Sequence, residues 1–183
     1  MKHNILLWDN DGTVTGSRNS NDPTKIILPG VETAMRHAAF NFIISGFRSL
    51  ESETQNFDPD RVAARFKDLM SVLPIKAAAF SPTIGGIECY VVIRRPDRSI
   101  VIKKAHEEPR YKQYIGEFKK PGIGMVVVMR DIAAEEFGQV IDADSAVMIG
   151  DTWQDEEAAT TFGIPFMNAD IVHEAGKQSK CCC

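Results

Sequence analysis

Short apolar runs alternate along this chain with longer segments whose apolar residues recur three and four positions apart. The short runs are typical of strands that are buried on both faces. They cover residues 4–8, 41–44, 75–80, 146–149 and 164–167. The longer segments predict amphipathic helices over residues 31–39, 58–73, 124–133 and 154–162. Strands that alternate with helices predict an α/β fold of three layers, in which helices cover both faces of a parallel sheet.

The helix predicted after Asp58 has well-marked ends. Asp58 supplies a capping carboxylate, and Pro59 takes the first helical position, where its missing N–H costs nothing. Pro74 ends the helix. One face carries the apolar residues Val62, Phe66, Leu69, Met70 and Leu73. We therefore expect that face to pack on the sheet.

One segment departs from the alternation of strands and helices. Residues 87–95 and 99–104 are rich in β-formers and are joined by Pro96-Asp97-Arg98. The pattern predicts a β-hairpin, inserted at about residues 85–106 as an appendage. Since no linker interrupts the chain, we expect a single domain over residues 1–176 and a tail over residues 177–183.

Composition narrows the class of protein. Of the 183 residues, 44% are hydrophobic and 25% are charged, as in globular domains. No apolar run approaches the roughly 20 residues that a membrane span needs, so membrane attachment is not expected. The formal net charge of −4 disfavours stable nucleic-acid binding. Cys89 stands alone in the body of the chain, and the lack of a disulfide framework predicts a reducing, cytoplasmic setting.

The first candidate for chemistry is the run Asp9-Asn10-Asp11-Gly12-Thr13. Asp9 and Asp11 come directly after a buried strand, where both carboxylates can face one cavity. One could then attack phosphorus as a nucleophile, while the other hands a proton to the leaving oxygen. Asp, Asn and Gly are also ordinary turn residues, so the segment alone leaves a simple turn open as the alternative.

A second acidic cluster follows the strand predicted at residues 146–149. Asp151 comes directly after that strand, and Asp155 lies four residues later, near the start of a helix. Clustered carboxylate oxygens suit a hard cation such as Mg²⁺. Acids in the first turn of a helix also favour its dipole, which accounts for Asp155 but not for Asp151.

Taken in order, these segments resemble the four motifs of the haloacid dehalogenase-like (HAD) superfamily of phosphohydrolases, whose fold is a Rossmann-like parallel sheet. The first motif is Asp-x-Asp-x-Thr, the second a Ser or Thr that closes an apolar strand, the third a Lys, and the fourth an acidic Gly-Asp-x-x-x-Asp pattern. The matching residues are, in motif order, Asp9, Asp11 and Thr13; Ser45; Lys120; and Gly150, Asp151 and Asp155.

The resemblance implies catalytic roles. Asp9 would be the nucleophile that forms an aspartyl-phosphate. Asp11 would be the general acid that protonates the leaving group and then the base that activates water. Ser45 and Lys120 would bind the phosphoryl oxygens, with Thr13 supporting the loop.

The resemblance also implies a Mg²⁺ site. Asp9, the backbone carbonyl of Asp11, and Asp151 would hold the ion, with Asp155 in the outer part of the site. Three carboxylates and a phosphate dianion can share a cavity only if a cation and a lysine offset their repulsion. Lys119 competes with Lys120 for the lysine role. We favour Lys120 because it precedes a proline, as in the histidinol-phosphatase and polynucleotide 3′-phosphatase branch.

The spacing between the motifs leaves no room for a large cap domain. The resemblance is therefore to the capless branch, which tends to act on larger substrates or to close its site with a partner subunit, as a homo-oligomer would. We expect a phosphorylated substrate, either a small molecule or the end of a phosphorylated polymer. The alternative function is a catalytically silent protein that keeps the fold for binding or regulation.

The stretch from Arg94 to Lys120 carries nine basic and four acidic residues. One interpretation places Arg94, Arg95 and Arg98 of the hairpin beside an open site, where they hold the remote part of an anionic substrate. The competing interpretation is a solvated hairpin whose charges prevent pairing with another sheet edge.

Cys181, Cys182 and Cys183 end the sequence. They resemble the paired cysteines of doubly prenylated proteins, although Lys180 in the fourth position from the end excludes a Cys-a-a-X signal. An unmodified or artificial end is the favoured alternative.

Overall fold

The computed structural model describes residues 3–16, 27–46 and 58–180. Its strands are β1 (Ile5–Trp8), β2 (Phe40–Gly46), β3 (Ile75–Ser81), β4 (Tyr90–Arg94), β5 (Ile100–Lys104), β6 (Ala146–Gly150) and β7 (Phe166–Asn168). Its α-helices are α1 (Val31–His37), α2 (Pro59–Val72), α3 (Gly124–Phe137), α4 (Trp153–Phe162) and α5 (Ala169–Lys180). Two 3₁₀ helices, Ala105–Glu107 and Pro109–Tyr114, follow β5.

These strands form one sheet in the order β5-β4-β3-β2-β1-β6-β7. β1 is parallel to both of its neighbours, with Trp8 opposite Ile43 of β2 and Ile149 of β6. The chain leaves β1 toward β2 and β3, and later returns on the other side through β6 and β7. This reversal places the carboxyl end of β1 at a topological switch point, where ligands of α/β sheets usually bind.

Helices cover both faces of the sheet. On one face, the core contains Met125, Met129 and Ile132 of α3 together with Ala158 of α4. The core on the other face is formed with residues of α1, α2 and α5. The predicted three-layer α/β fold is therefore confirmed.

The ends of α2 and α4 follow from local sequence chemistry. Asp58 accepts a hydrogen bond from the backbone N–H of Asp60 at 3.0 Å, and Pro59 opens α2 as predicted. α4 begins with a capping box between Thr152 and Asp155, and it ends at Gly163 with φ of 88°. Both helices thus begin at the carboxyl edge of the sheet.

The predicted hairpin exists, but it is an extension of the main sheet rather than an appendage. β4 is antiparallel to β3, with Ala77 opposite Ile93 and Phe80 opposite Tyr90. Because β4 runs back from the carboxyl end of β3, the turn at residues 95–99 lies at the amino end of the parallel strands. The hairpin turn and the switch point are therefore at opposite ends of the sheet.

This orientation overturns the interpretation that Arg94, Arg95 and Arg98 hold a substrate. Arg94 donates a hydrogen bond to the backbone oxygen of Met70 in α2 at 2.6 Å. Arg95 pairs with Glu136 in the last turn of α3 at 3.2 Å. The first two arginines therefore attach the hairpin to neighbouring helices.

α5 is the main element that the sequence pattern does not predict. It runs from Ala169 to Lys180, so the first four residues of the tail expected at 177–183 are helical. Gly176 lies so close to α1 that an added Cβ would be 2.1 Å from the backbone nitrogen of Gly30. The cysteines at 181–183 lie outside the described residues.

Among the described residues, no helix combines the length and the apolar character that crossing a membrane requires.

Candidate active site

Three loops with acidic or hydroxyl side chains meet where β1, β2 and β6 end. Asp9 follows β1, and its backbone N–H donates to the oxygen of Ile149 at 2.8 Å, which continues the pairing with β6. Asp151 follows β6. Ser45 is the second-to-last residue of β2, where it lies opposite Phe80 of β3. The predicted site residues on these loops are therefore neighbours in space.

Lys120 lies between two buried carboxylates. Its Nζ contacts Oδ1 of Asp9 and Oδ1 of Asp155. The side chains of Lys120, Asp9 and Asp155 are 8%, 10% and 0% exposed, so all three charges are largely removed from water. A buried lysine is tolerable only with such partners, because an unpaired buried charge is costly.

Burial controls the electrostatics of this group. It raises the pKa of Asp9 from 3.8 to about 7, with repulsion by Asp155 adding to the effect and the ammonium of Lys120 opposing it. Burial also acts to lower the pKa of Lys120, but the two carboxylates outweigh it, and the net pKa is raised. Lys120 is therefore held in its charged form.

Asp155 links this group to the start of α4. Its Oδ2 accepts hydrogen bonds from the backbone N–H of Thr152 at 3.1 Å and from the Thr152 hydroxyl at 2.7 Å, while Oδ1 faces Lys120. Gly150 makes room for this carboxylate, since an added Cβ would be 2.4 Å from Cβ of Asp155. Both carboxylate oxygens of Asp155 therefore already accept hydrogen bonds within the protein.

Asp9, Asp151 and Asp155 form a cluster that could hold a metal ion. One carboxylate oxygen from each lies within 4.8 Å of the others. Gly12, with φ of 90°, allows Asp151 to approach, because an added Cβ would lie 2.2 Å from Oδ2 of Asp151. An all-oxygen set of ligands at this spacing suits a hard divalent cation such as Mg²⁺.

Ser45 and Thr13, the two hydroxyl residues predicted for the site, are both buried. In the described part of the chain, Oγ of Ser45 is buried without a hydrogen-bond partner, and Gly46 beside it lines the pocket. A phosphoryl oxygen would satisfy this hydroxyl. Thr13 is buried in the loop after β1, and its backbone oxygen accepts a hydrogen bond from Nε2 of His173 in α5 at 2.9 Å.

Asp11 lies at the mouth of the site and lines the pocket, together with Asp9, Lys119, Lys120 and Gln154. Its Oδ1 accepts a hydrogen bond from Nδ2 of Asn10 at 3.0 Å. The same oxygen lies 3.8 Å from Nη2 of Arg65, a residue of α2. Asp11 is thus held from the side of α2, apart from the Lys120 cluster.

The structure distinguishes the two candidate lysines. Nζ of Lys119 donates to the backbone oxygen of Ile84 at 3.1 Å, whereas Nζ of Lys120 contacts Asp9. Both lysines line the pocket, but their ammonium groups point to different partners. Trp153 is 63% exposed and lies beside the pocket residues Thr152 and Gln154.

Sequence reasoning missed Arg65 and His173 as neighbours of this site. His173 is 160 positions from Thr13, and no local pattern connects them. Arg65 did leave a signal, because it is three residues after Val62 and four before Leu69, at the border of the apolar stripe of α2. A charged residue at such a border needs a partner, and here the partner is Asp11.

Comparison with known proteins identifies the fold. No protein-family model and no curated protein sequence matches the chain. Among solved structures, the chain is similar to a D,D-heptose 1,7-bisphosphate phosphatase from B. bronchiseptica, crystallised in complex with magnesium and phosphate. The two share 19% sequence identity with a TM-score of 0.52, over 88% of this chain and 78% of the other.

Proposed function

Since this chain has the fold of the HAD-superfamily phosphatases, we propose that it is a Mg²⁺-dependent phosphomonoester hydrolase that works through an aspartyl-phosphate on Asp9. The observation that carries the proposal is the contact of Lys120 with a buried Asp9, in a cluster that also includes Asp151 and Asp155. A buried group of opposite charges adds little net stability compared with apolar residues in the same place, which points to a functional reason for its presence.

The metal would be held by Asp9, Asp151 and the backbone carbonyl of Asp11. Mg²⁺ would supply positive charge against the phosphoryl oxygens and would keep Asp9 ionised despite its burial. Lys120 contributes further positive charge through its contact with Oδ1 of Asp9, and its contact with Oδ1 of Asp155 helps to fix where that ammonium lies.

In the first step, a carboxylate oxygen of Asp9 attacks phosphorus while the bond from phosphorus to the leaving oxygen breaks. The leaving oxygen takes the bonding electron pair and receives a proton from Asp11. Ser45 and Lys120 donate hydrogen bonds to the phosphoryl oxygens. The step ends with phosphate on Asp9 and with the alcohol free.

In the second step, Asp11 removes a proton from a water molecule as the water oxygen attacks phosphorus. The bond between phosphorus and the oxygen of Asp9 breaks, and inorganic phosphate leaves. Asp9 and protonated Asp11 are regenerated, so the cycle balances. The substrate is a phosphate monoester, either a small molecule or the end of a phosphorylated polymer.

The first test measures hydrolysis of an aryl phosphate by the purified protein. We expect turnover with Mg²⁺, loss of turnover with EDTA, and recovery when Mg²⁺ is restored. A folded protein that binds Mg²⁺ without hydrolysing any member of a panel of phosphosugars, nucleotides, 3′-phosphorylated oligonucleotides and phosphopeptides would instead be a silent binding protein.

A second test looks for the covalent intermediate. After a substrate labelled in its phosphate is mixed with the protein and quenched in acid, the label should stay on the protein and should be released by hydroxylamine, which cleaves acyl phosphates. The label should be absent from Asp9→Asn. It should accumulate in Asp11→Asn with an aryl phosphate, because loss of the base slows the second step more than the first.

A further inference from the structure

Arg65 occupies an unusual position for a cation on a surface helix. Of the basic residues of α2, Arg61 and Lys67 are exposed, whereas the side chain of Arg65 is only 17% exposed. Its neighbours on the helix, Val62 and Phe66, belong to the core. The guanidinium therefore reaches out of the apolar face of α2 toward the loop that follows β1.

The guanidinium is short of hydrogen-bond acceptors. In the part of the chain that the structure describes, its Nε and Nη2 are buried without a hydrogen-bond partner. Its salt-bridge partner is Oδ1 of Asp11, 3.8 Å from Nη2. Burying a cation in this way is costly and is tolerated only where a nearby anion compensates.

The two carboxylate oxygens of Asp11 have different surroundings. In the described part of the chain, the hydrogen bond from Asn10 and the ion pair with Arg65 both fall on Oδ1. Since Oδ1 already accepts a hydrogen bond from Asn10 and faces the cation of Arg65, Oδ2 is the more favourable place for a proton on this carboxyl. The oxygen that gives and takes the proton is thereby separated from the oxygen that is held.

We propose that Arg65 is a positioning residue for the general acid, which fixes Oδ1 of Asp11 and turns Oδ2 toward the leaving oxygen of the substrate. The inference rests on the function proposed above. Arg65 does not line the pocket, so it acts through Asp11 rather than on the substrate. Its effect is on the transfer of one proton: from Oδ2 to the leaving oxygen as the phosphorus–oxygen bond breaks, and back to Oδ2 from water.

The test compares leaving groups. Arg65→Met keeps an unbranched side chain as far as the position of Nε and removes the charged guanidinium. We expect kcat to fall by roughly 10- to 100-fold for an alkyl phosphate, whose leaving oxygen needs the proton, and by no more than a few-fold for p-nitrophenyl phosphate. KM should stay unchanged for both substrates, and Arg65→Lys should restore part of the loss.

A double mutant separates positioning from simple structural support. In the Asp11→Asn background the residue can no longer transfer a proton, so its orientation should not matter and adding Arg65→Met should cause no further loss of kcat. Arg61→Met, on the exposed side of the same helix, should behave as wild type on both substrates. Thermal unfolding of each variant checks that the fold is kept, and Arg65→Lys carries the comparison if Arg65→Met does not fold.

Three results would overturn the assignment: an equal loss for both leaving groups, a change in KM alone, or additive losses in the double mutant. Failure of the proposed function looks different, because wild type would then be inactive on both substrates, or Asp11→Asn would match it. That outcome would remove the basis of the Arg65 assignment as well.

Discussion

Two groups of three charges in this protein have opposite compositions, and the pKa values of their carboxyl groups shift in opposite directions. In the site, Lys120 lies between Asp9 and Asp155. In the last turn of α3, Glu136 lies between Arg95 and Lys103, at 3.2 and 2.9 Å. Each group consists of one charge and two opposite charges in contact.

The carboxyl pKa values of the two groups shift in opposite directions. Hydrogen bonds from Lys103 and Arg95 lower the pKa of Glu136, whereas burial raises that of Asp9 to about 7 despite its contact with Lys120. Glu136 contacts two cations, of which Arg95 is 41% exposed, whereas Asp9 is desolvated and also faces the fully buried carboxylate of Asp155. Contact between opposite charges therefore stabilises the ionised form of Glu136 slightly at the surface. In the site, contact with Lys120 offsets only part of the cost of desolvating the carboxylate of Asp9.

The largest expected effect is that of Asp9→Asn. Turnover of an aryl phosphate should fall by ~10³-fold or more, because the nucleophile is lost. A steady-state assay with Mg²⁺ measures it. Near-wild-type turnover in this variant would show that Asp9 is not the nucleophile.

The same variant should make the metal-free protein more stable. The pKa of Asp9 is 3.8 in the unfolded chain and about 7 in the folded protein, so between these pH values only the folded protein holds this proton. The folded protein therefore loses stability as the pH rises through this range. At pH 8, Asp9→Asn should therefore gain up to a few kcal/mol in urea unfolding with EDTA present. The gain should disappear near pH 4, and a loss of stability at pH 8 would contradict it.

Replacing Lys120 should harm both stability and catalysis. Lys120→Met leaves two buried carboxylates without their cation, which should cost about 3–5 kcal/mol in unfolding free energy, as measured for broken buried pairs. kcat should fall by roughly 10²-fold or more, since the charge near the phosphoryl group is lost. Urea unfolding and steady-state kinetics measure the two effects.

Lys119→Met is the matched control, since Lys119 lines the same pocket but donates to the backbone of Ile84. It should keep stability within about 1 kcal/mol of wild type and change kcat by several-fold at most. If Lys119→Met were the more damaging variant, the assignment of the two lysines would be reversed.

Asp155→Asn tests the outer part of the same group. The single oxygen of an amide can accept at the start of α4 or from Lys120 but not at both places, because the NH₂ group only donates. We expect a loss of about 1–2 kcal/mol, similar to a lost helix cap, and a fall in kcat of roughly 10-fold. Glu156→Gln, an exposed neighbour in the same turn, should leave both values near wild type.

Much of this arrangement could be predicted from local sequence. Apolar runs predicted the strands, and the residues after β1 and β6 predicted an acidic site at the carboxyl edge, where the structure has Asp9 and Asp151 together with Asp155. These predictions succeeded because parallel strands bring their carboxyl ends to the same edge. The roles of the individual residues stay predictions.

The errors arose where contacts join distant parts of the chain. α5 packs against α1 through Gly30 and Gly176, two glycines whose approach leaves no periodic pattern. Because the hairpin was expected to be an appendage, its arginines were wrongly placed at the carboxyl end of the sheet. Once β4 pairs antiparallel with β3, its turn must lie at the amino end of the sheet, away from the site.

The smallest expected effect is that of Glu136→Gln, at the other side of the comparison. The change removes the acceptor charge from Arg95 and Lys103, and since Arg95 is substantially exposed, the loss of unfolding free energy should be below about 1 kcal/mol at pH 7 and smaller still at high salt. The pKa of Glu136 is lowered in the folded state, so its contribution is present above pH ~4.5 and disappears as the pH falls through the folded value. The difference between wild type and Glu136→Gln in urea unfolding should therefore shrink as the pH falls below ~4.5. Turnover should be unchanged at every pH, because Glu136 is remote from the pocket. A loss of several kcal/mol would mean that the surface group behaves like the buried one, and a loss of turnover would mean that the hairpin end of the sheet supports the site after all.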